Sequence, residues 1–275
     1  MHDAWANSEA RITRSCVTIS WDDGHPFDLR VAELLAKYRL PATFYVPKTS
    51  QRPTMSAPEI KILANQYDIG AHTMHHRVLT RIPDYEAWAE MRDSKAWLED
   101  LTGVACRTFC PPEGRFRSSH RSMAARAGFV GLRTVELGSI ERPKRRDGIC
   151  ILPTSAQVFP HSTQTYARNA LKRGALGTLK SLARLGGASD WQKFAVALLR
   201  RSMQEGKVFH IWGHSWEVED LGLWAQVEDV FAVIASLAHN SEWLSNGELC
   251  EFALPTAEQR QAPSVRSQFS KRARA

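Results

Sequence analysis

Long apolar runs and a cysteine framework are both missing from this 275-residue chain, and no secretory leader is expected from its first residues. No stretch approaches the roughly 20 apolar residues of a membrane-spanning helix. The most apolar segment, Val230 to Ala238, is short and follows Glu228 and Asp229, so it reads as a buried helix. Met1-His2-Asp3-Ala4-Trp5 offers neither a basic nor an apolar signal region, so no secretory signal is visible. Five scattered cysteines, an odd number, speak against a disulfide scaffold, and Cys106 and Cys110 lack the second pair of a structural zinc site. The resulting expectation is a cytoplasmic protein with free thiols. Acid is absent from residues 260–275, where Arg260, Arg266, Lys271, Arg272 and Arg274 account for five of the net +7 charges. The body of the chain is therefore close to neutral, and no specific nucleic-acid partner is expected. Residues 256–275 read as a solvated, disordered tail, with weak contact to an anionic membrane face as the alternative.

What is present begins with Trp21-Asp22-Asp23-Gly24, directly after the strand-like Cys16-Val17-Thr18-Ile19-Ser20. Alternation along a strand, followed by a sharp exit at glycine, lets both carboxylates reach one cavity. Two like charges that close need a compensating cation. His72-Thr73-Met74-His75-His76 supplies imidazoles four apart. One carboxylate with two histidines makes a three-ligand set with open positions, the layout of a catalytic metal site. The remaining carboxylate is then free to act as a base.

Short β-branched or aromatic runs alternate with helical patterns along the chain. Strands are expected at 17–20, 42–46, 67–71, 107–109, 129–133, 149–152 and 208–212, and helices at 29–38, 57–67, 84–101, 118–127, 191–204 and 223–238. Such alternation indicates βα units around a parallel sheet, either an α/β barrel or an open doubly wound sheet. In both, the loops after the strands form the functional face, and Asp22, Asp23, His72, Glu113 and His214 all fall there. Residues 161–189 break the rhythm. They carry Arg168, Lys172, Arg173, Lys180 and Arg184 among leucines and glycines, and read as an insertion or as an amphipathic surface element.

Taken together, these residues resemble the polysaccharide deacetylases of the NodB-homology type, carbohydrate esterase family 4. The resemblance runs from about Ser15 to His214, and implies a distorted (β/α) barrel over residues 15–255 after an N-terminal extension at 1–14. Ser20-Trp21-Asp22-Asp23-Gly24 is similar to the family's Thr-Phe-Asp-Asp-Gly, which implies base for Asp22 and metal ligand for Asp23. His72-Thr73-Met74-His75-His76 matches His-Ser/Thr-x-x-His, which makes His72 and His76 the other ligands and His75 a bystander. Phe109-Cys110-Pro111-Pro112-Glu113-Gly114 resembles Phe-Arg-Pro-Pro-Tyr-Gly, with cysteine and glutamate at two positions. The Glu113 N–H then serves the oxyanion, while the arginine that buttresses the base is missing. Arg107, Arg115 and Arg117 are the candidate replacements. Val208-Phe209-His210-Ile211-Trp212-Gly213-His214 resembles the last motif, implying general acid for His214 and an acyl pocket formed by Ile211 and Trp212. Glu217 and Glu219 are placed to raise the pKa of His214 or to be simply solvated. Asp190-Trp191 either echoes a further motif or caps a helix.

The activity so implied is hydrolysis of N-acetyl groups on amino sugars, in a glycan or a carrier-linked form. A divalent cation, Zn²⁺ first and Co²⁺ or Mn²⁺ next, would activate a water molecule. A deformylase or non-sugar amidase is the alternative on the same chemistry, and a non-catalytic carbohydrate binder the alternative without it.

Overall fold

The computed structural model describes residues 14–172, 190–238 and 240–253. The segments 1–13, 173–189 and 254–275 lie outside the described residues, so the tail and most of the expected insertion do too. Strand β1 (Cys16–Asp22) is buried along its whole length, because helices cover one side and the opposite side faces other strands. After it come α1 (Asp28–Tyr38), β2 (Thr43–Val46), α2 (Ala57–Ala64), β3 (Asp68–Ala71), α3 (Asp84–Thr102), β4 (Thr108–Phe109), α4 (Ser118–Arg126) and β5 (Gly131–Arg133). The second half holds the β6 (Lys144–Arg146) and β7 (Ile149–Leu152) hairpin, β8 (Ala156–Gln157), α5 (Thr163–Lys172) and α6 (Trp191–Gln204). It ends with β9 (Val208–His214), α7 (Ser215–Asp220), α8 (Trp224–Leu237), β10 (Glu242–Trp243) and α9 (Asn246–Ala253).

The sheet runs β6-β7-β5-β4-β3-β2-β1-β9-β8, parallel except for the β6–β7 hairpin. Residues 149–157 pair with β5 at their start and with β9 at their end, so one kinked stretch joins the two sides and curls the sheet into a distorted barrel. Several boundaries differ from expectation for clear reasons. The α2 helix stops at Ala64, three residues early, and is started by Glu59, which accepts from both the N–H and the hydroxyl of Ser56 at 2.7 Å. Strand β9 runs on to His214 because its pairing with β1 continues to Asp22↔His214. Residues 163–172 form a helix whose Tyr166 is buried against Phe194 of α6, ring centroids 4.2 Å apart. This first part of the expected insertion thus belongs to the core. Gly70 is required on β3, since a Cβ there would stand 2.4 Å from Cε1 of Tyr45 inside the barrel.

Among the described residues no helix is long and apolar enough to cross a membrane. All five cysteines are buried and free.

Candidate metal centre

Alternation sorts the strand side chains into two sets. Val17, Ile19 and Trp21 join the apolar core beneath the helices, while Thr18, Ser20 and Asp22 point into the barrel. On β9, Phe209 and Ile211 join the same core, and His210, Trp212 and His214 face inward. The inner residues near the carboxyl ends of β1, β3, β4, β5 and β9 make the candidate site. Among the described residues, four of the six non-glycine residues with left-handed backbone lie here: Asp23 (φ 76°), Thr73 (φ 62°), His76 (φ 52°) and Glu113 (φ 55°). Each such residue costs about 1–3 kcal/mol, which the surroundings must offset, and that cost concentrates at functional sites.

Oδ1 of Asp23 stands 3.3 Å from Nε2 of His72 and 3.0 Å from Nε2 of His76. His72 donates from Nδ1 to the Cys110 carbonyl at 2.6 Å, which turns Nε2 toward the carboxylate. Oδ1 of Asp23 is itself buried without a hydrogen-bond donor that satisfies it. These three ligand atoms lie close enough together to hold one cation, and the donor set fits Zn²⁺, Co²⁺ or Mn²⁺. Burial works against ionisation of Asp23, but His72, His76 and His214 outweigh it and hold the carboxyl well below the usual range. Oδ2 of Asp23 accepts from the indole N–H of Trp216 at 2.9 Å. A second cluster, Asp22, His72 and Cys110, is also compact, but its interior is taken. Arg133 pairs with Asp22, and His72 spends Nδ1 on the Cys110 carbonyl.

His214 lies beside Asp22 in register and stacks on Trp216, ring centroids 5.3 Å apart. Its Nδ1 bonds Oε2 of Glu217 at 2.7 Å, and its Nε2 is 3.9 Å from Oδ2 of Asp23. Burial depresses the imidazole, yet the Glu217 hydrogen bond and the nearby Asp23 carboxylate raise it overall. Glu217 is steadied by Gln157 at 3.1 Å, whereas Glu219 turns away to Trp224 and Arg30. His75 bonds Glu90 at 2.8 Å and stays off the ligand set. A further carboxyl, Asp28, is fully buried; burial and the charges of Asp23 and Asp22 push its pKa well above the usual range.

Two expectations are corrected, those for Ile211 and for the arginine at Asp22, and the open alternative at Asp190 is decided. Ile211 sits on the outer face of β9, 1% exposed within the apolar core, so alternation removes it from the site and leaves Trp212 as the wall beside His214. Asp190 is a helix cap: it accepts from the Lys193 N–H at 3.1 Å, and the Trp191 indole bonds Gln226. None of the three candidate arginines reaches Asp22. Arg107 pairs with Asp68 and Glu251, Arg115 with Glu113, and Arg117 with Asp84. The guanidinium at Asp22 belongs instead to Arg133, fully buried at the end of β5. Its signal in the sequence was a charged residue closing the otherwise uncharged run Phe129-Val130-Gly131-Leu132. Trp216 was missed as well. Glu113 holds its left-handed turn with its side chain outward, paired with Arg81 and Arg115.

Residues 10–132 match the family model described as polysaccharide deacetylase. That match runs from before β1 into β5, stopping at Leu132, and contains Asp23, His72 and His76. Over that region, somewhat under half of its length, the chain is similar to the polysaccharide deacetylase family. Among individual proteins it is 31% identical over 115 residues to chitin deacetylase 1 of Cryptococcus neoformans var. grubii, covering 41% of this chain and 24% of that one. The matched regions span only 24% and 36% of the curated relatives' lengths. The fold is shared with a putative polysaccharide deacetylase from Mycobacterium smegmatis (TM-score 0.66, 14% identity, 92% of this chain and 94% of that one). It is shared also with a family 4 acetyl xylan esterase from Clostridium thermocellum in complex with a cobalt ion (TM-score 0.52, 16% identity, 85% and 89% covered).

Proposed function

We propose that this protein is a divalent-metal-dependent N-deacetylase acting on N-acetylated amino sugars within a glycan. The observation that carries the reading is one rim holding a three-ligand set, Asp23, His72 and His76, with the Arg133-paired carboxylate of Asp22 outside that set and an imidazole of raised pKa at His214 beside it. When bound, a divalent cation supplies Lewis acidity toward water and the amide carbonyl. Asp22 accepts the proton of the attacking water. The Glu113 N–H, presented by its left-handed turn, steadies the developing oxyanion. His214 donates a proton from Nε2 to the departing nitrogen while Glu217 holds Nδ1. Trp212 forms the wall for the acyl methyl group.

The family-model match and the likeness to a chitin deacetylase support an acetylated glycan as substrate. The cobalt-bound esterase of the same fold makes Co²⁺ a useful probe. Arg133 beside Asp22 takes away the motive for a non-catalytic reading, which rested on the arginine missing at position 110. The charged Glu113 rim keeps a second reading, formamides or non-sugar amides, within the test. Metal-stripped protein is reloaded with Zn²⁺, Co²⁺ or Mn²⁺ and offered N-acetylglucosamine oligomers, formamido sugars and cyclic ureides. Metal-dependent acetate is the expected product; formate or ureide hydrolysis instead moves the substrate class, and no turnover of any kind overturns the reading.

A further inference from the structure

Between β2 and α2 the chain makes a loop, residues 47–56, that carries Lys48 and Arg52 and no acid. Main-chain hydrogen bonds pin this loop to both ligand-bearing segments. The N–H groups of Lys48 and Thr49 donate to the Met74 carbonyl at 3.0 Å, between His72 and His76. The Met55 N–H donates to the Gly24 carbonyl at 2.8 Å, next to Asp23. Pro47 and Pro53 stiffen the backbone between those anchors. Arg52 lies on the indole of Trp216, its guanidinium carbon 3.5 Å from the ring centroid. The indole is itself held, because its N–H is bonded to Oδ2 of Asp23 at 2.9 Å and its ring stacks on His214. A single indole thus separates this guanidinium from a carboxylate of the ligand set.

The arginines on the β3 and β4 side of the rim are spent on the protein. Arg77 pairs with Glu86, Arg81 and Arg115 with Glu113, and Arg117 with Asp84 and the Thr80 carbonyl. Arg52 is not. Asp220 stands 3.6 Å from it, outside hydrogen-bond range, and among the described residues its guanidinium donates no hydrogen bond. Stacking on an aromatic face leaves the N–H donors in the guanidinium plane, open at the edge and poorly hydrated. Lys48, on the same loop, is exposed as well. We propose that Arg52 recognises an acidic group, carboxylate or phosphate, carried by the acetylated sugar or by the unit next to it, so that the substrate is an anionic N-acetylated glycan. A planar fork of donors matches either anion, and the stack presets its orientation, so little freedom is lost on binding. Asp220 competes for the same donors. The effect on turnover rests on the deacetylase reading above, whereas binding of the acid by Arg52 does not.

The test compares three probes on the full chain. Neutral N-acetylglucosamine oligomers carry no acid, N-acetylglucosamine–glucuronate oligomers place a carboxylate on the neighbouring unit, and N-acetylglucosamine 1-phosphate places a phosphate on the acetylated sugar itself. With Co²⁺ bound, Arg52→Gln is expected to lower kcat/KM for an acidic probe about tenfold more than for the neutral one, the lower end for a hydrogen bond between charged groups. The acidic probe that responds tells carboxylate from phosphate. Arg52→Lys, which keeps the charge and loses the fork, should fall between wild type and Arg52→Gln. Asp220→Asn should widen the acidic preference about twofold, and added salt should narrow it. Calorimetric affinities on metal-stripped protein read the same contact without turnover and without a cation to hold the phosphate. There the responding acidic probe should bind wild type about tenfold more tightly than Arg52→Gln. Where the probes turn over, a variant that slows all three alike overturns the inference and leaves the deacetylase reading standing. Where none turns over, the deacetylase reading fails and binding decides: an affinity difference between wild type and Arg52→Gln for an acidic probe upholds the inference, and no difference overturns it.

Discussion

His210 and His214 stand on one strand, face the same side of it and are separated by a single tryptophan on that face. His210, deep in the barrel, bonds Ser20 at 2.9 Å and the Pro153 carbonyl at 3.1 Å. Burial, with Arg133 nearby, pushes its pKa down to about 3, so it stays neutral throughout the working range. His214, at the rim, has Glu217 and Asp23 for neighbours and is pulled up instead. The same contrast divides the whole interior. Its floor is closed by neutral hydrogen bonds: Thr18 and Tyr45 meet the Asn246 side chain at 2.8 Å, and Thr43 accepts from its N–H at 2.9 Å. Its rim carries Asp22, Asp23, His72, His76 and His214, titratable groups, with the buried Arg133 guanidinium paired to Asp22 just beneath them. The type of residue does not decide the task; partners and burial do. Floor groups spend their valence on the fold, and rim groups keep some for a ligand.

Metal removal should break this contrast most completely. Chelation is expected to abolish turnover, and adding Zn²⁺ or Co²⁺ back should restore it and raise the Tm with ligand concentration, as an ion bound to the folded state must. His214→Gln comes next: kcat should fall about 10²–10⁴-fold, the usual range for a lost proton donor, with little change in Tm. Glu217→Gln should be milder and pH-dependent. With an ion neutralising Asp23, Glu217 is the group that keeps the imidazolium favoured, so its loss lowers the His214 pKa. The alkaline limb of the kcat profile should then move to lower pH, about tenfold in kcat on that limb for each unit moved. The sign for stability is the same: a raised histidine pKa stabilises fully below the unfolded value of about 6.5 and loses its effect as pH rises through the folded value. Thermal unfolding across that window should show a smaller drop in the variant than in wild type. His210→Phe should leave kcat nearly unchanged, and cost about 1–3 kcal/mol of stability in denaturant unfolding by orphaning Ser20 and the Pro153 carbonyl.

Legibility in the sequence follows the same division. Asp22, Asp23, His72 and His76 could be read because each lies in a short contiguous segment at a strand exit, where local spacing already fixes the geometry. The alternating strands and helices were readable for a similar reason, since β1 through α4 each carry their own periodicity. Arg133 was not readable, because its partner is set by strand order and by which face of β5 turns inward, and Leu132 beside it points the other way. Ile211 and Trp212 could have been separated by counting back two residues from His214. Asp190 could be resolved only once α6 was seen to start there. The family match ends at residue 132, one short of Arg133, and does not reach β9, so the parts that complete the site come from the half with the weaker signal.

One measurement bears on the central claim most directly: acetate release by Co²⁺-loaded wild type, Asp22→Asn and His214→Gln, with the Co²⁺ absorption spectrum recorded on the same samples. Three matching spectra with turnover in the wild type alone would place the ion on Asp23, His72 and His76, and leave proton transfer to Asp22 and His214. Wild-type turnover in either variant, or a spectrum lost with Asp22 or His214, would contradict that division of roles.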